Sequence, residues 1–147
     1  MAVSVGTRVL VDGAASGLVL RLAAPISFWG GVDPDRGIIT QPSHPDHGAV
    51  VSGTVLVLPG MIGSSSSSAI MLELLNNGVA PCALVMGEVD AILGLGVVAG
   101  AEIDLATIPV LHGPIDDFQT GQHAEILPGG RIRLGDQGRS GQDLAAT

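Results

Sequence analysis

The rhythm of apolar and polar positions changes twice along the chain. From Val3 to Ile26 it is Val- and Leu-rich with alternation, and Val9-Leu10-Val11, Asp12-Gly13 and Gly17–Leu20 predict two β-strands joined by a turn. Ser27–Gly48 breaks the rhythm with turn residues, GGVDPDRG and QPSHPDHG, and predicts a long loop with little regular structure. From Gly53 the pattern becomes strand–helix–strand. Val55–Leu58 predicts a short buried strand. Ser65–Asn77 predicts a helix closed by Gly78. Ala83–Met86 follows Pro81 as a second strand. Asp90 caps a second helix to about Ala99 with Gly100 after it, and Thr107–Leu111 is a third strand. Such a series implies a parallel sheet with right-handed crossovers. Ala124–Leu127 and Arg131–Leu134 then read as a hairpin around Pro128-Gly129-Gly130. The polar, Gly-rich residues Gly135–Thr147 read as a flexible tail, leaving 1–134 as the folded domain.

Composition narrows this picture. A chain of 147 residues is one domain with room for a proper core, and 46% apolar residues argue against disorder. Aromatics are nearly absent, so the core must be built from Val, Leu, Ile and Ala; Phe28 and Trp29 sit in the loop. The net charge of −8, with arginine but no lysine, leaves no basic stripe for a nucleic-acid backbone. No apolar run reaches membrane-spanning length, and the first residues do not read as a signal peptide. Cys82, the lone cysteine, cannot by itself form an intrachain disulfide or hold an iron–sulfur cluster. A cytoplasmic location is expected.

The candidate chemistry centres on Gly63-Ser64-Ser65-Ser66-Ser67-Ser68, between the predicted strand and helix. A serine after glycine at a strand-to-helix turn lies among backbone N–H groups and near the positive end of the helix dipole, which suits an oxyanion, a substrate carboxylate or a serine alkoxide. Serines also simply cap helices, and both readings stand at this point. Other motifs carry less. Gly94-Leu95-Gly96-Val97-Val98-Ala99 matches a dinucleotide pattern but falls inside a helix, where small residues serve close packing. The Gly60–Ser65 turn lacks the lysine of a phosphate loop, and Ser66 replaces the second glycine of a hydrolase elbow. His44-Pro45-Asp46-His47 offers two imidazoles and a carboxylate to a metal without an obvious fourth ligand. Glu73 reads as a solvated helix residue, and His112 and His123 show no spacing that suggests chemistry.

Ile26–Val85, with FWGGVDP, the His-Pro-x-x-Gly loop, the VLVLPxxxGS turn and the NGxAP turn in order, resembles the swivelling domain of aconitase X. The later run EVDAILGLGVVAGAEIDLATIPVLHG is similar in layout. The resemblance implies an α/β fold: a swivelling β/β/α domain with a strand-rich, barrel-like part and strand–helix–strand units. It implies a small subunit paired with a large catalytic subunit. That partner is expected to hold iron, commonly as an iron–sulfur cluster, with no cofactor on this chain.

The resemblance also implies a hydro-lyase that removes a proton beside a carboxylate and expels a β-hydroxyl. Its serine base, carried over by position, is Ser64, with Gly63 and Ser65 beside it. Trp29, Gly30, Gly31 and Asp33 are expected at the site's edge, where glycines let backbone approach a ligand. His44 is expected to line that edge or meet the partner, and Phe28 to plug the core. Two substrates are implied: cis-3-hydroxy-L-proline, giving Δ1-pyrroline-2-carboxylate, and (R)-5-phosphomevalonate. Ile62, where the family often carries a basic residue, favours the first. The rival class is a non-catalytic protein-interaction domain using the glycine-rich loops.

Overall fold

The computed structural model describes residues 2–3, 8–62, 66–88 and 91–135. Its strands are β1 (Ala2–Val3), β2 (Arg8–Val11), β3 (Ala15–Arg21), β4 (Val32–Asp33), β5 (Ile38–Ile39), β6 (Val55–Leu58), β7 (Ala83–Met86), β8 (Val110–His112), β9 (His123–Leu127) and β10 (Arg131–Leu134). Three helical segments lie among them: the single turn α1 (Phe28–Gly31), α2 (Ser67–Asn76) and α3 (Ala91–Glu102). The main sheet runs β1-β10-β9-β3-β6-β7-β8-β2, and β4 and β5 form a separate small ladder.

Strand β3 joins two kinds of sheet. Ala15–Leu18 pair antiparallel with β9, and Val19–Arg21 pair parallel with β6. Strands β6, β7 and β8 continue in parallel, as the strand–helix–strand rhythm requires. Every residue of β6 and β7 is buried, so their side chains build two cores by alternation. Leu56, Leu58, Leu84 and Met86 meet Met71, Leu74, Leu93 and Val97 of the two long helices. Val55, Val57, Ala83 and Val85 meet Phe118, Ala124, Ile126 and Ile132 inside the curl of the sheet. The mixed α/β architecture and barrel-like curl agree with the fold expected from the sequence.

Several boundaries differ from the sequence reading. Strands β2 and β3 are not partners: β2 lies at the far edge beside β8. The Ser27–Gly48 stretch contains the β4–β5 ladder within its turns. The first long helix starts at Ser67, after a turn at Ser66. It ends at Asn76, with Asn77 as its cap and Gly78 in the left-handed region (φ 70°), as the glycine stop predicts. The second runs past Gly100 to Glu102 and stops where Asp104 takes a left-handed φ of 65°. Aspartate tolerates that conformation better than most residues. The third strand begins at Val110 because Thr107 and Pro109 precede its pairing with β7.

Glycine in α3 serves packing. A Cβ on Gly96 would lie 2.6 Å from the Ser68 carbonyl oxygen and 2.9 Å from Met71 Cβ, so only glycine lets α3 approach the first turns of α2. The outer side of α3 stays apolar, with Leu95 and Val98 exposed and Ile103 exposed just after its end. No helix among the described residues is long and apolar enough to cross a membrane. Gly135 still belongs to the ladder region, donating its N–H to His123 O at 2.8 Å; the rest of the expected tail lies outside the described residues.

Candidate active site

The candidate site grows from the carboxyl end of β6. After Leu58 the chain passes Pro59 and Gly60, and Met61 forms a parallel bridge with Ile26. Ile62 donates its N–H to the carbonyl of the same Ile26 at 3.0 Å. Gly63, Ser64 and Ser65 lie outside the described residues. On their far side α2 begins, bringing its positive dipole end to this edge. Ile26 is fully buried and leads, two residues on, into the FWGG turn. Pairing Ile26 with Met61 and Ile62 therefore ties that turn to the segment that enters the serines.

Phe28 and Trp29 divide the roles the sequence suggested. Phe28 is fully buried, as expected of a plug, whereas Trp29 is 59% exposed. The split follows from the backbone. Trp29 is extended (ψ 113°) and Gly30 has φ 78°, so the turn is kinked and swings the indole outward. Trp29, Gly30, Asp33, Thr40 and Ile70 line an open groove of about 450 Å³. Ile70 comes from the first turn of α2, so loop and helix share the groove. Gly31 is buried behind it, and a Cβ there would press on Ile26 at 3.1 Å and the Gln41 side chain at 3.2 Å.

Asp33 reaches the groove already paired. It accepts from Arg36 Nε at 2.7 Å and from the Asp35 N–H at 2.9 Å. The Arg36 guanidinium, followed by the Asp35 N–H, holds its carboxyl below the usual aspartate range. A carboxylate so held is a poor proton acceptor and a good anchor for the loop.

His44 lies behind the loop. Its residue is 4% exposed, and both ring nitrogens are engaged. Nδ1 accepts the Asp46 N–H at 3.0 Å, so Nε2 carries the proton and donates to Ala24 O at 3.0 Å. Asp46 Oδ2 accepts the Ala23 N–H at 2.8 Å. Together these bonds staple the His44–His47 turn onto the segment before Ile26. His47 Nδ1 pairs separately with Gln41 O at 3.2 Å. The two imidazoles thus hold backbone groups of the loop.

Ser67 is the residue the sequence reading passed over. It is 2% exposed, at the first position of α2, and its Oγ has no hydrogen-bond partner among the described residues. A buried, unpaired hydroxyl costs about 1–3 kcal/mol, so its position beside the serine turn is a functional pointer. The sequence showed only that it was one of five serines, because burial depends on how closely α3 packs.

Among the described residues no three His, Cys, Asp or Glu side chains gather to hold a metal. Cys82 points its Sγ to Ser16 O at 3.6 Å, and burial pushes its thiol pKa up, opposite to what a thiolate ligand needs.

Fold and site together define an α/β domain whose candidate chemistry gathers where parallel strands end and a helix begins. The aconitase X swivel domain model matches residues 4–134, and the chain belongs to that family. It is 38% identical over 120 residues to the phosphomevalonate dehydratase small subunit of Methanopyrus kandleri, spanning 79% of this chain and 84% of that one. It is 40% identical over 103 residues to the cis-3-hydroxy-L-proline dehydratase of Pseudomonas aeruginosa, spanning 70% of this chain but 18% of that protein. The crystal structure of Thermococcus kodakaraensis aconitase X superposes with a TM-score of 0.82 at 29% identity, over 91% of this chain and 99% of that one. These relatives are dehydratases, that is hydro-lyases, and the chain is a dehydratase small subunit of the aconitase X family.

Proposed function

We propose that this chain, joined to a large subunit that holds the iron centre, dehydrates cis-3-hydroxy-L-proline and supplies Ser64 as the base. Ser64 Oγ takes the proton from the carbon that bears the carboxylate. The bond to the neighbouring hydroxyl breaks, the oxygen leaves as water, and the enamine tautomerises to Δ1-pyrroline-2-carboxylate. A serine is a weak base in water, so its alkoxide depends on nearby N–H donors and a positive dipole end, the setting that the start of α2 offers. Gly63 and Ser65, the neighbours of Ser64 in sequence, are assigned to substrate binding beside it. Trp29, Gly30, Gly31 and Asp33 form the edge over the substrate, and His44 acts from behind by holding the loop. Trp29, Ile62 and the outer side of α3 supply apolar surface for the large subunit to cover.

The observation that carries the substrate choice is Ile62. The residue entering the serine turn is apolar and half exposed, which offers no charge to a phosphate. Phosphomevalonate is the second reading. It is favoured by the Methanopyrus kandleri relative, named a phosphomevalonate dehydratase small subunit, of which this chain covers 84%. Co-expression with the large subunit, anaerobic purification and turnover assays on both compounds test the choice. Loss of hydroxyproline is expected; turnover of phosphomevalonate alone overturns the substrate but keeps the class. A stable monomer that recruits no iron-bearing partner and shows no turnover supports the non-catalytic reading.

A further inference from the structure

A basic feature lies away from the groove, where β7 and β8 end. Arg8, Gly87, His112, Gly113 and Pro114 line an open cavity of about 320 Å³ where β7 and β8 end. Ligands of open α/β sheets collect outside the carboxyl ends of parallel strands. Arg8 and His112 are register partners across β2 and β8, so their side chains stand side by side on one face. An arginine beside an imidazole N–H on one face offers an anion two neighbouring donors.

Among the described residues the surroundings supply no such group. In a chain of net charge −8, Arg21 reaches Asp116, Arg36 reaches Asp33, Arg133 reaches Glu125 and Arg131 reaches Pro128 O. Among the described residues, the side chains of Arg8 and His112 reach no partner. The nearest acidic neighbour in sequence, Glu88, lies over Gly60 on the β6 side: a Cβ built on Gly60 would be 3.1 Å from its Oε2. The cavity is therefore a basic pocket in an acidic protein, walled by two glycines that allow close approach.

We propose that Arg8 and His112 form a binding site for a phosphate group. The guanidinium fork takes two oxygens side by side, and the imidazole across the ladder takes a third. A carboxylate has no third oxygen to offer. Adjacent strands lie about 4.8 Å apart, so β8 stands roughly 10 Å from β6, two strands away. A phosphate held here could be the far end of a long substrate or a free phosphate bound beside a smaller one. The site itself does not rest on the substrate reading above.

The test begins without turnover. Inorganic phosphate is titrated into the full chain while the Arg8 and His112 side-chain resonances are followed by NMR. Saturable shifts are expected, at least about tenfold weaker in affinity for Arg8→Gln and partly restored by Arg8→Lys, which keeps charge but loses the fork. His112→Gln should also weaken binding. No saturable shift, or equal binding by the Gln variants, overturns the site. Two arms in the assembled enzyme then separate the sources. If Arg8→Gln raises KM for phosphomevalonate but not for hydroxyproline, the phosphate belongs to the substrate. If Arg8→Gln abolishes an effect of free phosphate on hydroxyproline turnover, it is a separate ligand. Binding by the isolated chain with neither response in the assembly assigns the pair to an acidic group of the large subunit and overturns the proposal.

Discussion

The parallel and antiparallel halves of the sheet obey different rules. In β6 and β7 both faces are covered, and every residue is apolar and buried. In β10 burial alternates strictly, with Ile132 and Leu134 inward and Arg131 and Arg133 outward. The Arg8–His112 cavity lies where the parallel strands β7 and β8 end, and Ile70 of α2, the helix that follows β6, helps line the Trp29 groove. The antiparallel half carries a hairpin and a surface ion pair, and closes the inner core. One half buries its strands on both faces, and the other keeps one face to solvent.

That contrast can be broken by substitution. Ser64→Ala should lower kcat of the assembled enzyme by at least about a hundredfold, the scale of general-base catalysis, with an unchanged melting temperature; full turnover would move the base elsewhere. Leu84→Ala, at the parallel centre, should cost about 3 kcal/mol in denaturant unfolding. Gly96→Ala should cost roughly 2 kcal/mol, because its Cβ meets backbone in place of a flexible side chain. Its turnover should fall as well, since the contact lies at the first turns of α2.

Smaller effects sharpen the comparison. Trp29→Ala should leave unfolding nearly unchanged while raising KM or weakening assembly, because the indole is mostly exposed. Ser67→Ala should be neutral or stabilising by up to about 1 kcal/mol, since its hydroxyl is buried without a partner among the described residues. A fall in turnover in that stable variant would place the hydroxyl in the site. Arg133→Ala, which removes a cross-strand pair with Glu125 at 2.7 Å, should cost no more than about 0.5 kcal/mol. For Asp33 the folded pKa lies below the unfolded one. Its pairing with Arg36 is therefore present above the ordinary aspartate range and lost only as pH falls through the lowered value. An NMR titration of its carboxyl carbon checks the direction.

The same division governed what could be read from sequence. Val55–Leu58 and Ala83–Met86 were legible to the residue because fully buried strands are unbroken apolar runs between turn residues. The β9–β10 hairpin was legible from alternation and its Pro-Gly-Gly turn. The stop of α3 was not, because Gly100 is there for contact with Leu75, 3.2 Å from its would-be Cβ, and the chain turns at Asp104. Strand partners were hidden too: nothing local places β2 beside β8, from the far end of the chain. Among candidate residues, Trp29 was singled out from family resemblance and glycine content, whereas its outward position beside α2 comes from the kinked turn. The burial of His44 and Ser67 and the pairing of Arg8 with His112 are products of tertiary approach, which no single segment encodes.

The pairing scheme also orders events in time. Strand β1 pairs with β10, β2 with β8, and the first half of β3 with β9. At about 5–20 residues per second of synthesis, the earliest strands wait on the order of ten seconds for partners made last. During that wait their unpaired edges can meet other nascent chains. The sheet can close only when the final hairpin leaves the ribosome, so a truncation that removes Arg131–Leu134 should trap the protein in aggregates, with its serine turn still intact in sequence.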